Sequence, residues 1–251
     1  MNKNPQQFYD DLADSYSLIF PDWQAAVERQ ANAISNLISQ PPLTVLDCSC
    51  GIGTQAIGLA KLGYKVHATD ISPKEVEKAK EASKKMGVNL SFGVADFRTL
   101  DSQVEGEYDV VISFDNSLPH LLTNEDIVKA LNAMKAKLVD GGKLLISIRD
   151  YDVLLEEKPK ATLPQVMQTE NGETIYFQTW QWDDNLPTYQ TNLFILVPEN
   201  GSWKVTTSST TYRALRKNEL TELLEKSGYK NVEWLESQQS GYYQPIVTAT
   251  K

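Results

Sequence analysis

Histidine and cysteine are nearly absent: among 251 residues there are two of each. Cys48 and Cys50 stand one residue apart, too few ligands for a closed Cys/His zinc site, so both are expected to be reduced and packed, and no metal is expected. No apolar run reaches the length needed to cross a bilayer. The first twenty residues, MNKNPQQFYDDLADSYSLIF, lack the apolar core of an export signal, and a cytoplasmic protein without a membrane partner is expected. Basic residues are also in deficit, with Lys plus Arg at 24 against Asp plus Glu at 33, a net charge of -9. Such a balance repels polyphosphate and argues against a broad nucleic-acid face. What remains is ordinary globular composition, 41% hydrophobic and 23% charged, enough for one large domain without disulfide or metal staples.

Ala26, Ala33, Ile34, Leu37 and Ile38 recur at helical spacing ahead of Pro41-Pro42, which predicts a helical segment over 1–40. From Leu43 the texture alternates between strand-like and helix-like stretches: 43–49, 54–62, 64–70, 73–86, 88–95, 108–114, 124–138 and 142–148. Alternation of this kind predicts an α/β fold, a mostly parallel sheet doubly wound with helices. Ser72-Pro73 and Thr123 have helix-start chemistry, and Gly87 and Gly141-Gly142 are expected where helices stop. After 150 the pattern changes. Three segments between 172 and 213, rich in Thr, Tyr, Trp and Val, predict an antiparallel β meander inserted over the sheet at 165–213. Residues 214–251 read as a helix, 217–227, then strands NVEWLES and YYQPIVTAT joined as a hairpin by Gln-Gln-Ser-Gly, the last strand antiparallel. One domain is expected, its cofactor half at 43–150.

The stretch VLDCSCGIGT leaves a strand, passes through small residues and enters a helix. Ser49, Gly51 and Gly53 let the backbone approach a ligand, and helix-start amides receive polar groups. Nineteen residues after Gly51, Asp70 ends the second strand, where a carboxylate accepts from ribose hydroxyls. A nucleoside cofactor follows. Asp47, ahead of the glycines, opposes a dinucleotide pyrophosphate and suits an ammonium group, so the charge pattern favours S-adenosylmethionine over a nicotinamide cofactor.

These segments, with HATDIS, VADFRTL and YDVVISFDNSLPHLL, resemble the four ordered motifs of class I S-adenosylmethionine-dependent methyltransferases. Ser49 departs from the usual glycine but remains small. The resemblance implies a seven-stranded Rossmann-like sheet, with S-adenosyl-L-methionine consumed and S-adenosyl-L-homocysteine released. It assigns Asp96 to the adenine amino group, Phe97 to a backbone amide nearby, Ile71 to the adenine face, and Asp115 to the cofactor side. FYDDLADSYSLIFPDW, DNSLPH and ISIRDYD further resemble the glycine and sarcosine N-methyltransferases. That narrower likeness places Asn116 and Ser117 beside the transferable methyl and Arg149 on a substrate carboxylate, which an arginine fork meets through two hydrogen bonds. Asn116 or a nearby carbonyl is expected to orient the neutral amine. Tyr9, Tyr16 and Arg29 are candidates for a lid over the cofactor, Tyr242 for an acceptor contact, and His120 for a structural residue or a proton acceptor. Transfer to another small O, N or C nucleophile, or cofactor binding without catalysis, stays open here, as does the oligomeric state.

Overall fold

In a computed structural model of the chain, residues 4–15, 19–20, 22–169 and 172–251 are described. Two helices come first, α1 (Pro5–Leu12) and α2 (Trp23–Ser35), capped by the side chains of Asn4 and Asp22, which accept from the Gln7 and Ala25 amides. The alternating half follows as β1 (Thr44–Asp47), α3 (Thr54–Lys61), β2 (Lys65–Asp70), α4 (Pro73–Lys85), β3 (Ser91–Val94), α5 (Leu100–Gln103), β4 (Tyr108–Ser113), α6 (Asn124–Ala136) and β5 (Leu138–Ser147). Then come α7 (Tyr151–Glu157), β6 (Gln165–Thr169), β7 (Gly172–Trp182), β8 (Thr188–Glu199), β9 (Ser202–Arg213), α8 (Lys217–Lys226), β10 (Lys230–Leu235), α9 (Ser237–Ser240) and β11 (Ile246–Thr250).

Seven strands form one sheet in the order β10-β11-β5-β4-β1-β2-β3, parallel except for β11, which runs antiparallel to both neighbours. The expected doubly wound sheet with an antiparallel last strand is therefore present. Strand order reverses between β1 and β4, so the loops after these strands diverge and leave a crevice at their carboxyl ends. Val45, Leu46, Val111 and Ile112 are fully buried because helices cover both faces. The α2–α3 contact is close enough that a Cβ on Gly58 would lie 2.5 Å from the Val27 carbonyl, so only glycine fits there.

Strands β6 to β9 form a separate antiparallel sheet. Only three of them stand out as long segments in the sequence; β6 is short. Two further details differ from expectation. Helix α6 ends at Ala136, before Gly141-Gly142, and β5 already pairs at Leu138. Register jumps from Tyr108↔Leu138 to Val110↔Lys143, so these glycines belong to a bulge inside β5 rather than to a helix stop. Likewise Gln-Gln-Ser-Gly is not a tight hairpin turn: α9 precedes Gly241 at φ 71, and β11 begins only at Ile246. Tyr242 and Tyr243 are thereby released from the strand and turn toward the crevice.

Candidate active site

Four parallel strands deliver their carboxyl ends to one place. Asp47 ends β1, Asp70 ends β2, Asp115 to Ser117 follow β4, and Arg149 follows β5. Gly51 and Gly53 take φ 50 and φ 90, left-handed backbone that glycine adopts at little cost, and this turns the chain from β1 into α3. The same turn aims the Gly51 amide at Asp70 Oδ2, 2.9 Å away, while the Ser72 amide donates to Oδ1 at 2.9 Å. Each Asp70 oxygen thus holds one backbone donor and keeps lone-pair capacity for a ligand hydroxyl.

Asp47 is buried, with Oδ1 accepting from the Ser49 amide at 3.2 Å and Oδ2 without a partner. Burial, reinforced by Asp70 and Asp115, pushes its carboxyl up to about 8. Behind the loop stands Glu75, fully buried, both oxygens unpartnered, raised to about 9 by burial and by Asp70 and Asp10. An uncompensated set of buried acids fits a cationic ligand and disfavours a pyrophosphate.

A cavity of about 640 Å³ runs from this loop past Ile71, Asp96, Phe97 and Ser117 to Tyr9 and His120. Asp96 is not free in it. Arg98 grips the carboxylate through Nε, at 3.1 and 3.0 Å, and Nη2, at 2.6 Å, and also reaches Asp126 at 3.4 Å. Burial works to raise Asp96, but Arg98 holds it below the usual carboxylate range. The Arg98 clamp fixes the orientation of the expected adenine partner.

A narrower space lined by Ser49, Gly51, Gln55, Asp70, Asp115 and Ser117 leads on to one of about 370 Å³ beside Arg29, Asp115, Tyr176 and Tyr242. Asp115 is held from several sides: by Gln55 Nε2 at 2.8 Å, by the Tyr243 hydroxyl at 2.7 Å, and by a short bond from the Tyr242 hydroxyl. Tyr242, expected to face the acceptor, is 2% exposed and spends its hydroxyl on Asp115. Arg29 is exposed at the rim of that cavity. Tyr16 lies outside the described residues. Tyr9 caps the first cavity from α1, its hydroxyl 3.1 Å from His120 Nε2. His120 packs tilted against Tyr212, ring centroids 4.1 Å apart, and is buried. Burial and the Arg149 charge push the imidazole down to about 3, against a smaller opposite pull from the Thr211 backbone, so it stays neutral.

Asp115 and Asn116 adopt φ 55 and φ 66, two successive non-glycine residues in left-handed backbone. Asn116, 2% exposed, sits behind the wall formed by Asp115 and Ser117. Its Oδ1 accepts from the Arg149 amide and the Tyr151 hydroxyl, both at 3.0 Å, so this oxygen is not available to orient an amine, contrary to expectation. Ser117 lines the cavity while its hydroxyl donates to the Phe114 carbonyl at 2.9 Å. Arg149 faces a further cavity of about 620 Å³ that shares Tyr176 and Tyr243 with the Asp115 space. Its guanidinium donates to the Tyr189 hydroxyl at 2.5 Å and to Gln178 Oε1 at 3.1 Å, and packs on Trp180 and Tyr212. Among the described residues it forms no ion pair.

Sequence reading reached Asp47, Asp70, Asp115 and Arg149 but missed Glu75, Arg98, Gln55, Tyr151 and Gln178. Arg98, two residues beyond Asp96, had a readable spacing for an ion pair. Gln178 and Tyr189 reach Arg149 only through the pairing of β7 with β8.

Residues 45–142 match the family model described as a methyltransferase domain. A glycine/sarcosine N-methyltransferase of Parasynechococcus marenigrum (strain WH8102) is 32% identical over 152 residues, 60% of this chain and 54% of that protein. A ubiquinone biosynthesis O-methyltransferase of Xanthomonas campestris pv. campestris (strain B100) is 26% identical over 161 residues, covering 59% and 66%. The chain thus spans about half to two thirds of the length of these relatives. In fold it is similar to Streptomyces venezuelae DesVI, with TM-score 0.79, 17% identity and coverage of 94% and 97%.

Proposed function

We infer N-methyl transfer from S-adenosylmethionine to a small carboxylate-bearing amine, of the kind glycine and sarcosine represent, for a chain whose residues 45–142 match a methyltransferase domain. The observation that carries the acceptor class is Arg149: a half-buried guanidinium at a cavity wall, with two neutral partners and no acid among the described residues to balance it. A carboxylate supplies the missing charge and matches the fork. Likeness to the glycine/sarcosine enzyme supports the same reading.

S-adenosylmethionine supplies a methyl already activated on a sulfonium. The chain's part is binding, orientation and exclusion of water. Asp70 receives the ribose hydroxyls, Ile71 and Phe97 border the base, Asp96 accepts from its amino group, and the glycine-loop amides with Asp47 hold the methionine end. Asp115 and Arg29 border that end, and Tyr9 with α1 forms the cover. Arg149 takes the acceptor's carboxylate, so its amine is directed toward the Asp115–Ser117 turn. With no strong base at that turn, and His120 neutral and tied to Tyr9, the amine's proton leaves to solvent before attack.

The test is release of S-adenosylhomocysteine with glycine, sarcosine, dimethylglycine and a panel of other small amines, with product masses. Turnover on an amino acid is expected. Arg149→Lys should raise its KM at least tenfold and leave cofactor affinity nearly unchanged, since charge remains while the fork is lost. Turnover confined to acceptors without a carboxylate, or an unchanged KM, rejects the reading. Similarity to the ubiquinone biosynthesis O-methyltransferase makes transfer to an oxygen the second reading, and turnover on a hydroxyl-bearing acceptor added to the panel would favour it.

A further inference from the structure

The cavity that Arg149 faces is larger than glycine or sarcosine can fill. At about 620 Å³ it falls in the range, about 300–1,000 Å³, of pockets that enclose drug-sized ligands. Three residues of its wall are charged: Arg149, Asp150 and Glu236. Both acids accept from Lys217 Nζ, at 3.2 and 2.7 Å, and stand partly in solvent. Among the described residues, Arg149 is therefore the one charge on this wall without an ion pair. Val153 and Leu154 of α7, with Leu163 and Pro245, supply aliphatic surface, Tyr176 and Trp180 of β7 supply aromatic surface, and the remaining polar groups of the wall are uncharged.

Exposure is a second observation. Val153, Leu163 and Tyr243 are 46%, 80% and 61% exposed, three of the large apolar or aromatic side chains that the fold leaves to solvent, and all three line this cavity. Apolar surface gathered at one opening marks a binding site. Local structure explains part of the gathering: α7 starts directly after Arg149 with Asp150 as its cap, so its first turns bring Val153 and Leu154 to the wall that already holds the guanidinium. We propose that the acceptor is an α-amino acid with a large apolar side chain, of the leucine or phenylalanine kind, its carboxylate on Arg149 and its side chain along Val153, Leu154 and Leu163. The carboxylate half of this assignment rests on the function proposed above; the apolar body rests on the wall alone. Each methylene that an apolar pocket covers is worth about tenfold or more in discrimination, so glycine, with no side chain, is a poor acceptor.

The experiment sets phenylalanine and leucine against glycine, reading S-adenosylhomocysteine release, and adds two fragments of phenylalanine: hydrocinnamate, which lacks the amine, and phenethylamine, which lacks the carboxylate. Fragment binding is measured by calorimetry on the full chain saturated with S-adenosylhomocysteine, so it reports on the cavity whether or not turnover occurs. Phenylalanine is expected to show a kcat/KM at least a hundredfold above that of glycine, and hydrocinnamate to bind and to compete with it. In the double variant Val153→Gln/Leu163→Gln, which adds no charge and alters exposed side chains, hydrocinnamate should bind about tenfold more weakly. Failure of both fragments to bind, equal hydrocinnamate binding to wild type and double variant, or glycine used as well as phenylalanine overturns the apolar body; the last of these leaves the carboxylate reading standing. If phenethylamine binds and hydrocinnamate does not, the carboxylate reading fails alone. If hydrocinnamate binds as expected and no amino acid is methylated, the occupant class stands and the function proposed above fails.

Discussion

Asp47 and Glu75 are both buried acids kept protonated by the fold, yet they answer to different events. Asp47 stands at the cofactor loop at about 8, raised first by burial and then by Asp70 and Asp115. A cation placed beside its unpartnered Oδ2 lowers that value and expels the proton, so cofactor binding and proton release are linked. Affinity for S-adenosylmethionine should therefore climb from pH 6 to about 8, by up to tenfold per unit, and flatten above. Calorimetry at pH 7 in buffers of different ionisation enthalpy should show about one proton released, and none in Asp47→Asn. A pH-independent affinity would exclude Asp47 from the ammonium site. Glu75 instead weighs on folding. Its folded pKa of about 9 exceeds the ordinary value of 4.5, so between these limits the folded chain holds a proton that the unfolded chain gives up. Stability is then greatest below 4.5 and falls as pH rises through the window, by about 1.4 kcal/mol per unit for one whole proton. Glu75→Gln should raise the Tm at pH 8 and flatten its decline with pH; a Tm equal to wild type at pH 5 and pH 8 alike would contradict this.

Helix α1 bridges the two sheets. Phe8 and Leu12 pack against Leu193 and Ile195 of β8, the Ser72 hydroxyl donates to Asp10 at 2.6 Å, and Lys74 Nζ donates to the Asp10 carbonyl at 3.1 Å. A cover held this way is set by a few apolar contacts at one end of the chain, so it can undock without global unfolding. Phe8→Ala, worth about 3 kcal/mol or more in a core, should mainly free α1: cofactor affinity at least tenfold lower, Tm only a few degrees down, and faster proteolysis within 4–15. Unchanged affinity would remove α1 from the cofactor site. The cap chemistry that starts α4 and α6 is local and was read from sequence. The β5 bulge and α9 were not, because both are dictated by neighbours: one by pairing with β4, the other by the need to bring Tyr242 and Tyr243 onto Asp115.

At the scale of the molecule, the sequence showed whatever depends on spacing within one strand–turn–helix unit. Asp47, Gly51, Gly53 and Asp70 belong to consecutive units, and their places at the strand ends and in the loop could be read from order alone. The acceptor side was only half readable. Arg149 follows its strand directly, but Tyr189 and Gln178, which direct it, come from a second sheet, and the unpartnered Glu75 looks in sequence like any acidic residue on a helix. Likewise, the orientation of the Asn116 amide depends on two donors, the Arg149 amide and the Tyr151 hydroxyl, that no spacing rule connects.

The 640 Å³ cavity under α1 and the 620 Å³ cavity at Arg149 share no lining residue. Under the amine-methylating function proposed above, two separate openings would let spent cofactor leave by one while the amine stays bound at the other, and the ratio of singly to multiply methylated product would then report which opening empties faster.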